Sequence, residues 1–72
     1  MNIRIASVPD REEVVAEVYS GNNQFAEISQ DNNEIRIEFY PKSENEFWNF
    51  KFDEIMEALN QAKVHLLGDK NL

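Results

Sequence analysis

The spacing of apolar residues changes once along this 72-residue chain, and that change limits which folds the chain can adopt. Before about residue 52, apolar residues recur at every second position in several short segments, which is the period of a half-buried β-strand. From residue 53 onward they recur at intervals of three and four, which is the period of an amphipathic helix. The chain therefore predicts strands first and one helix last.

Several segments have the alternation, or the β-branched and aromatic content, that is typical of strands. The clearest is the segment in which Ile35, Ile37 and Phe39 alternate with charged residues. Turn-forming asparagine and glycine residues separate it from the segments before it. The predicted strands cover residues 2–7, 13–20, 24–30 and 34–40, with the option of a short fifth strand over 47–51.

Residues 53–67 predict the helix. Asp53 suits the N-cap, and Gly68 suits the position just past the last turn. Five apolar residues of this segment fall on one helical stripe. They are Ile55, Met56, Leu59, Ala62 and Leu66.

The economical arrangement of these elements is one α+β domain over residues 1–72. It is an antiparallel meander of four or five strands with the C-terminal helix packed on one sheet face, because strands joined by tight turns pair with their sequence neighbours. We expect the helix to cover the more apolar face. That face is predicted to carry Val14, Ala16, Val18, Ile28, Ile35, Ile37 and Phe39.

Fourteen acidic residues against seven Lys and Arg give the chain a formal charge of -7. This excess favours basic protein partners, and it argues against direct nucleic-acid binding, which needs clustered Lys and Arg. The chain contains no cysteine, which leaves out a disulfide framework and thiolate metal ligands. No stretch reaches the roughly 18 apolar residues of a membrane span, so we expect a cytoplasmic protein without membrane contact.

No catalytic, cofactor or metal motif is present in the sequence. The single histidine, His65, falls on a polar row of the predicted helix, where a surface residue is expected. The two glycines fit a turn and a helix end better than a phosphate-binding loop. Paired carboxylates such as Glu17 and Glu27 leave a metal-assisted hydrolase as a distant third function.

The other face of the predicted sheet mixes aromatic and charged residues, which is the composition of an interface core and its rim. We expect this face, together with the acidic loop after the fourth strand, to bind a partner. The alternatives are that it pairs in a homodimer or is inert. The candidate residues are Glu17, Tyr19, Phe25, Glu27, Arg36, Glu38, Tyr40, Glu44 and Glu46.

These features predict a non-enzymatic protein–protein interaction module that needs no cofactor. In gross character the chain is similar to small bacterial immunity or antitoxin proteins, which neutralise basic nuclease toxins by occluding them. That similarity rests on fold class and charge, and it implies a basic, nuclease-like partner for this chain. The alternatives are a nucleic-acid mimic that inhibits a DNA- or RNA-handling enzyme, and a homodimeric accessory protein.

Overall fold

The helix follows one open antiparallel sheet, as the change in apolar spacing predicts. The computed structural model describes residues 1–7, 9 and 13–70, the last two through their backbone alone. Its elements are β1 (Asn2–Ala6), β2 (Val15–Ser20), β3 (Asn23–Asp31), β4 (Glu34–Phe39) and α1 (Phe52–Lys70). The strands lie in the order β1-β2-β3-β4. The predicted α+β fold is confirmed, with four strands.

Tight turns set the pairing of the last three strands. Asn32 and Asn33, between β3 and β4, have φ angles of 51° and 69°, and Gly21, between β2 and β3, has a φ of 60°. Two central residues with positive φ are the requirement of a type I′ hairpin turn, whose twist matches that of the flanking strands. The asparagine-rich sequence therefore specifies the β3–β4 hairpin directly.

Helix α1 packs mainly on β2 and also on β1 and β3. Ala58, Ala62 and Leu66 recur every four residues and are buried in one cluster with apolar side chains of β2 and β3. Two of these three helix residues are alanines, and a small side chain allows a helix backbone to lie close to a sheet. Ile55 and Leu59 are half-buried beside this cluster.

Strand β4 is not covered in the way the sequence predicts. Ile37 and Phe39, expected beneath the helix, are 43% and 62% exposed, and Met56 of the predicted helical stripe is also exposed. The reason is width, since a helix is about 10–12 Å across and neighbouring strands are about 4.8 Å apart. A helix centred on β2 therefore leaves the second strand along, β4, open to solvent.

Phe25 is buried in the core, so its predicted place on the outer face is wrong. Val18 pairs with Ala26 and Tyr19 pairs with Gln24, so Phe25 is an extra residue between two pairs. Such a β-bulge interrupts the alternation of side chains between the two faces. Phe25 is only 1% exposed and belongs to the cluster that includes the helix residues.

The optional fifth strand over 47–51 is not formed, because its aromatic residues pack on Phe25 instead of entering the sheet. The ring centroids of Trp48 and Phe50 lie 5.6 and 4.6 Å from that of Phe25. The indole Nε1 of Trp48 also donates a hydrogen bond of 2.8 Å to the carbonyl oxygen of Tyr40. This segment therefore closes the end of the core between sheet and helix.

Helix α1 begins one residue before its predicted start and continues three residues beyond its predicted end. Asp53 lies in the first turn, where its charge complements the helix dipole. Gly68 lies inside the helix, and its φ is not in the left-handed region that ends many helices. A glycine thus permits a helix end at this position without imposing one.

We expect the change Gly68→Ala to raise the free energy of unfolding by about 0.5–1 kcal/mol, because alanine loses less backbone entropy within a helix. Beyond the adjacent residues and the nearby helix backbone, no atom of the described residues lies within 4 Å of the Cβ that alanine would add. Urea denaturation followed by circular dichroism measures the change. The matched control is Gly21→Ala, which is expected to destabilise by about 1–2 kcal/mol because of its positive φ. Equal loss in both variants would contradict a helix that continues through Gly68.

Candidate functional site

A row of charged residues crosses the sheet on the face away from α1. Arg4 lies opposite Glu17, Glu17 opposite Glu27, and Glu27 opposite Glu38. Ala16 and Val18 flank Glu17 in β2 and are buried against the helix, so the alternation of a strand places Glu17 on the other face. We call the residues Glu17, Glu27 and Glu38 the glutamate row. Arg4 lies at its β1 end.

Two tyrosines donate hydrogen bonds to the glutamate row. The hydroxyl of Tyr19 lies 3.1 Å from Oε1 of Glu17, and the hydroxyl of Tyr40 lies 3.2 Å from Oε1 of Glu27. An ionised carboxylate can accept hydrogen bonds but cannot donate them, so each phenol is the donor. The two rings thus frame the row on the same face of the sheet.

The surroundings of both phenols disfavour their ionisation. Burial raises the pKa of Tyr19, the carboxylate of Glu17 raises it further, and Arg4 partly opposes the shift. Burial likewise raises the pKa of Tyr40, followed by the charge of Glu27 and its hydrogen bond. Both hydroxyls therefore remain protonated donors at neutral pH.

Exposure differs along the glutamate row. Glu27 on the central strand β3 is only 7% exposed, whereas Glu17 is half-buried and Glu38 on the edge strand is exposed. A carboxylate as buried as that of Glu27 needs hydrogen-bond partners, and Tyr40 supplies one. On this face a binding partner can reach Glu17, Glu38 and the two tyrosines, and also the exposed Arg36.

The other predicted site residues lie elsewhere. Arg36 pairs with Ser29 in the β3–β4 ladder, on the same face as the row, and forms an exposed ion pair with Glu34 at 3.4 Å. Glu44 and Glu46 belong to the loop after β4 and not to the sheet. Phe25 is in the core. The sheet therefore brings together six of the nine predicted residues: Glu17, Tyr19, Glu27, Arg36, Glu38 and Tyr40.

Interactions within the loop after β4 already involve Glu46. Its carboxylate lies 3.7 Å from Nζ of Lys42 and accepts a hydrogen bond from Ser43. Nζ of Lys42 also lies 5.2 Å from the centroid of the Trp48 ring. An open, mostly polar hollow of about 470 Å³ separates this loop from the turn at Asn22. Glu46 is thus held by interactions within its own loop and lies outside the sheet face.

His65 is exposed on α1, beside a shallow depression that Glu57 and Gln61 also line. Across residues 1–7, 9 and 13–70, no group of three or more His, Cys, Asp or Glu side chains is placed to hold a metal ion. In the same part of the chain, no helix combines the length and apolar character needed to cross a membrane.

Arg4 is not among the candidate site residues predicted from the sequence. The structure makes it the cation that faces Glu17 across β1 and β2. The register of β1 against β2 determines this contact, and no two-residue turn connects these two strands. Alternation alone therefore could not identify the residue opposite Arg4.

Comparisons of the chain with protein-family models, with curated proteins and with solved structures gave no match. The function of the glutamate row is therefore inferred from its own geometry and charge.

We expect Tyr40→Phe to lower the free energy of unfolding by about 1–2 kcal/mol, because it removes a donor from the buried carboxylate of Glu27. The matched change Tyr19→Phe removes a similar bond from the more accessible Glu17, so a smaller loss than that of Tyr40→Phe is expected. Urea denaturation at pH 7 compares the two. A larger loss for Tyr19→Phe would contradict the burial gradient along the row.

Both tyrosines are expected to ionise above pH 10, the usual value for a phenol, when titrated by absorbance at 295 nm. The folded chain holds these protons more tightly than the unfolded chain does. This contribution to stability is complete below pH 10 and is lost as the pH rises through the raised values. Glu27→Gln is expected to lower the pKa of Tyr40 toward 10, and to change the pKa of Tyr19 by less. An equal change at both phenols would contradict the pairing.

Proposed function

We propose that this protein is a non-enzymatic binding module whose outer sheet face holds a basic protein partner. The supporting observation is the glutamate row, in which Glu27 has another glutamate directly opposite it on each neighbouring strand. Like charges in directly opposite positions destabilise a sheet. A cation bound over the row offsets this repulsion, so binding of a basic group and stability of the sheet favour the same state.

An arginine side chain is the group that this face suits best. Its guanidinium donates in parallel to carboxylate oxygens, and it stacks on aromatic rings. Glu17 and Glu38 offer the accessible carboxylates, and Tyr19 and Tyr40 offer the rings. Tyrosine and arginine are also the residues that most often contribute the binding energy of protein interfaces.

The form of this function that we favour is an inhibitor of the immunity or antitoxin type. An acidic face on a small sheet steers association with the cationic cleft of a nuclease-like protein, and contact with that cleft blocks its substrate. The row spans three strands, about 10 Å at 4.8 Å per strand, and it ends at Arg4. This short length favours a local contact with one or two cations over imitation of a nucleic-acid backbone. The proposal includes a cytoplasmic location, which a chain without cysteine permits.

The test is capture of the partner from native lysate of the source cells by the immobilised chain. The face variant carries Glu17→Gln and Glu38→Gln. The control variant carries Glu54→Gln and Glu57→Gln, which remove the same charge from exposed positions of α1. We expect the face variant to lose a basic partner that the original chain and the control retain, with Kd raised at least tenfold, or about 1.4 kcal/mol.

Equal binding by the face and control variants would contradict the proposal. The association rate of the captured partner is also expected to fall with ionic strength, because exposed charges are screened over about 8–10 Å at 0.1–0.15 M salt. Competition between this chain and DNA for the captured partner tests whether the contact lies in a nucleic-acid groove, as both inhibitor forms require. Loss of capture in the presence of DNA places the contact in a nucleic-acid groove.

A further inference from the structure

An apolar strip lies along the uncovered edge of the sheet, on the same side as the helix. Ile37 and Phe39 of β4 are exposed, and Phe52 of α1 is 74% exposed. One side of α1 faces β1, because a hollow there is lined by Met1 together with Glu54, Glu57 and Gln61 of the helix. Phe52 and the exposed Met56 are one turn apart on the other side of α1. That side lies toward β4. We call Ile37, Phe39, Phe52 and Met56 the β4 strip.

The backbone of β4 also presents hydrogen-bonding groups along this edge that β3 does not use. The amide of Tyr40 donates to the carbonyl oxygen of Phe25 at 2.9 Å, which marks these two residues as a hydrogen-bonded pair. In an antiparallel ladder such pairs alternate with pairs that exchange no hydrogen bond. Residues 34, 36 and 38 thus bond to β3, whereas the amides and carbonyls of Ile35, Ile37 and Phe39 point away from it.

The sequence of β4 complements itself around Ile37. When two copies of β4 run antiparallel with Ile37 opposite Ile37, Ile35 lies opposite Phe39 and Arg36 lies opposite Glu38. Opposite charges thus meet on one face and apolar side chains on the other, and both arrangements stabilise paired strands. The outward amides and carbonyls at positions 35, 37 and 39 are the ones that this register pairs.

The two neighbouring registers in which outward groups also pair are disfavoured by charge. The register centred on Arg36 places Arg36 opposite Arg36 and Glu34 opposite Glu38, so like charges meet at three positions. The register centred on Glu38 places Glu38 opposite Glu38 and leaves Arg36 opposite Tyr40. Charge complementarity therefore selects the register centred on Ile37.

From this we propose that β4 pairs with β4 of a second copy of this chain, antiparallel and about a two-fold axis at Ile37. The pairing joins two four-stranded sheets into one sheet of eight and brings the two β4 strips together between the helices. It removes an exposed sheet edge, which proteins otherwise have to protect. Arg36 and Glu38 lie on the same face as the glutamate row, so variants at these two positions affect both proposals. Ile37 and the strip lie on the opposite face, so a change at Ile37 tests the dimer without altering the proposed binding face.

The first experiment is light scattering after size exclusion, with the full chain at 0.15 M salt over a range of concentrations. The expected mass is twice the 8.4 kDa of the chain. Either single change, Arg36→Glu or Glu38→Arg, places like charges opposite each other and is expected to raise the dimer Kd at least tenfold. The double variant restores opposite charges and is expected to return the Kd to within about threefold of the original, since the pair is coupled.

The second experiment places charge on the two-fold axis. Ile37→Lys brings two ammonium groups face to face and is expected to yield monomers, with the circular dichroism spectrum unchanged. The matched control is Val64→Lys, at a position of α1 that is 66% exposed, which is expected to remain dimeric. A chain that is monomeric at every concentration, or a double charge variant no better than the single ones, would overturn the proposal.

A third outcome assigns the β4 strip to a different protein. If the chain is monomeric and Ile37→Lys abolishes partner capture, the strip belongs to that partner and the dimer is rejected. If the original chain is dimeric, and Ile37→Lys is monomeric but captures the partner equally well, the dimer is supported. That result does not depend on whether the proposed function is correct.

Discussion

A single helix has to cover a sheet of four strands, and the distribution of buried and exposed residues on the covered face follows from that constraint. Helix α1 lies over β2 and reaches β1 and β3. On this face Ala26 and Ile28 of β3 are buried, whereas most of β4 is exposed. The central strands therefore supply the core, and the outer strand β4 keeps both an apolar strip and a free edge.

Tyr40 links the two faces of the sheet. Its amide donates to the carbonyl of Phe25, its carbonyl accepts from the indole of Trp48, and its hydroxyl donates to Glu27. One residue thus connects the bulge, the aromatic segment that closes the core and the buried carboxylate of the glutamate row. The position of the row depends on packing on the opposite side of the sheet for this reason.

The sequence predicted the local features of this fold well. Alternation over 34–40 predicted β4, paired asparagines predicted its turn, and the change of period predicted α1. Each of these signals acts between residues a few positions apart. The type and order of the elements therefore followed from local chemistry.

Features that depend on tertiary packing were not predictable in this way. The bulge at Phe25 is stabilised by Trp48 and Phe50, more than twenty residues away. The exposure of Ile37 depends on the width of a helix and on the strand over which it lies. Register likewise determines that Arg4 faces Glu17, and alternation identifies only a face. The residues of the outer face were thus largely predictable, but which of them lie opposite each other on neighbouring strands was not.

Amide hydrogen exchange along β4 shows whether the helix leaves β4 as an open edge. In dilute solution, where the chain is monomeric, the amides of Arg36, Glu38 and Tyr40 are expected to be protected by β3. Those of Ile35, Ile37 and Phe39 are expected to exchange at rates close to those of an unstructured chain. Equal protection of both sets would contradict the account, because it would show that this edge is covered within a single copy.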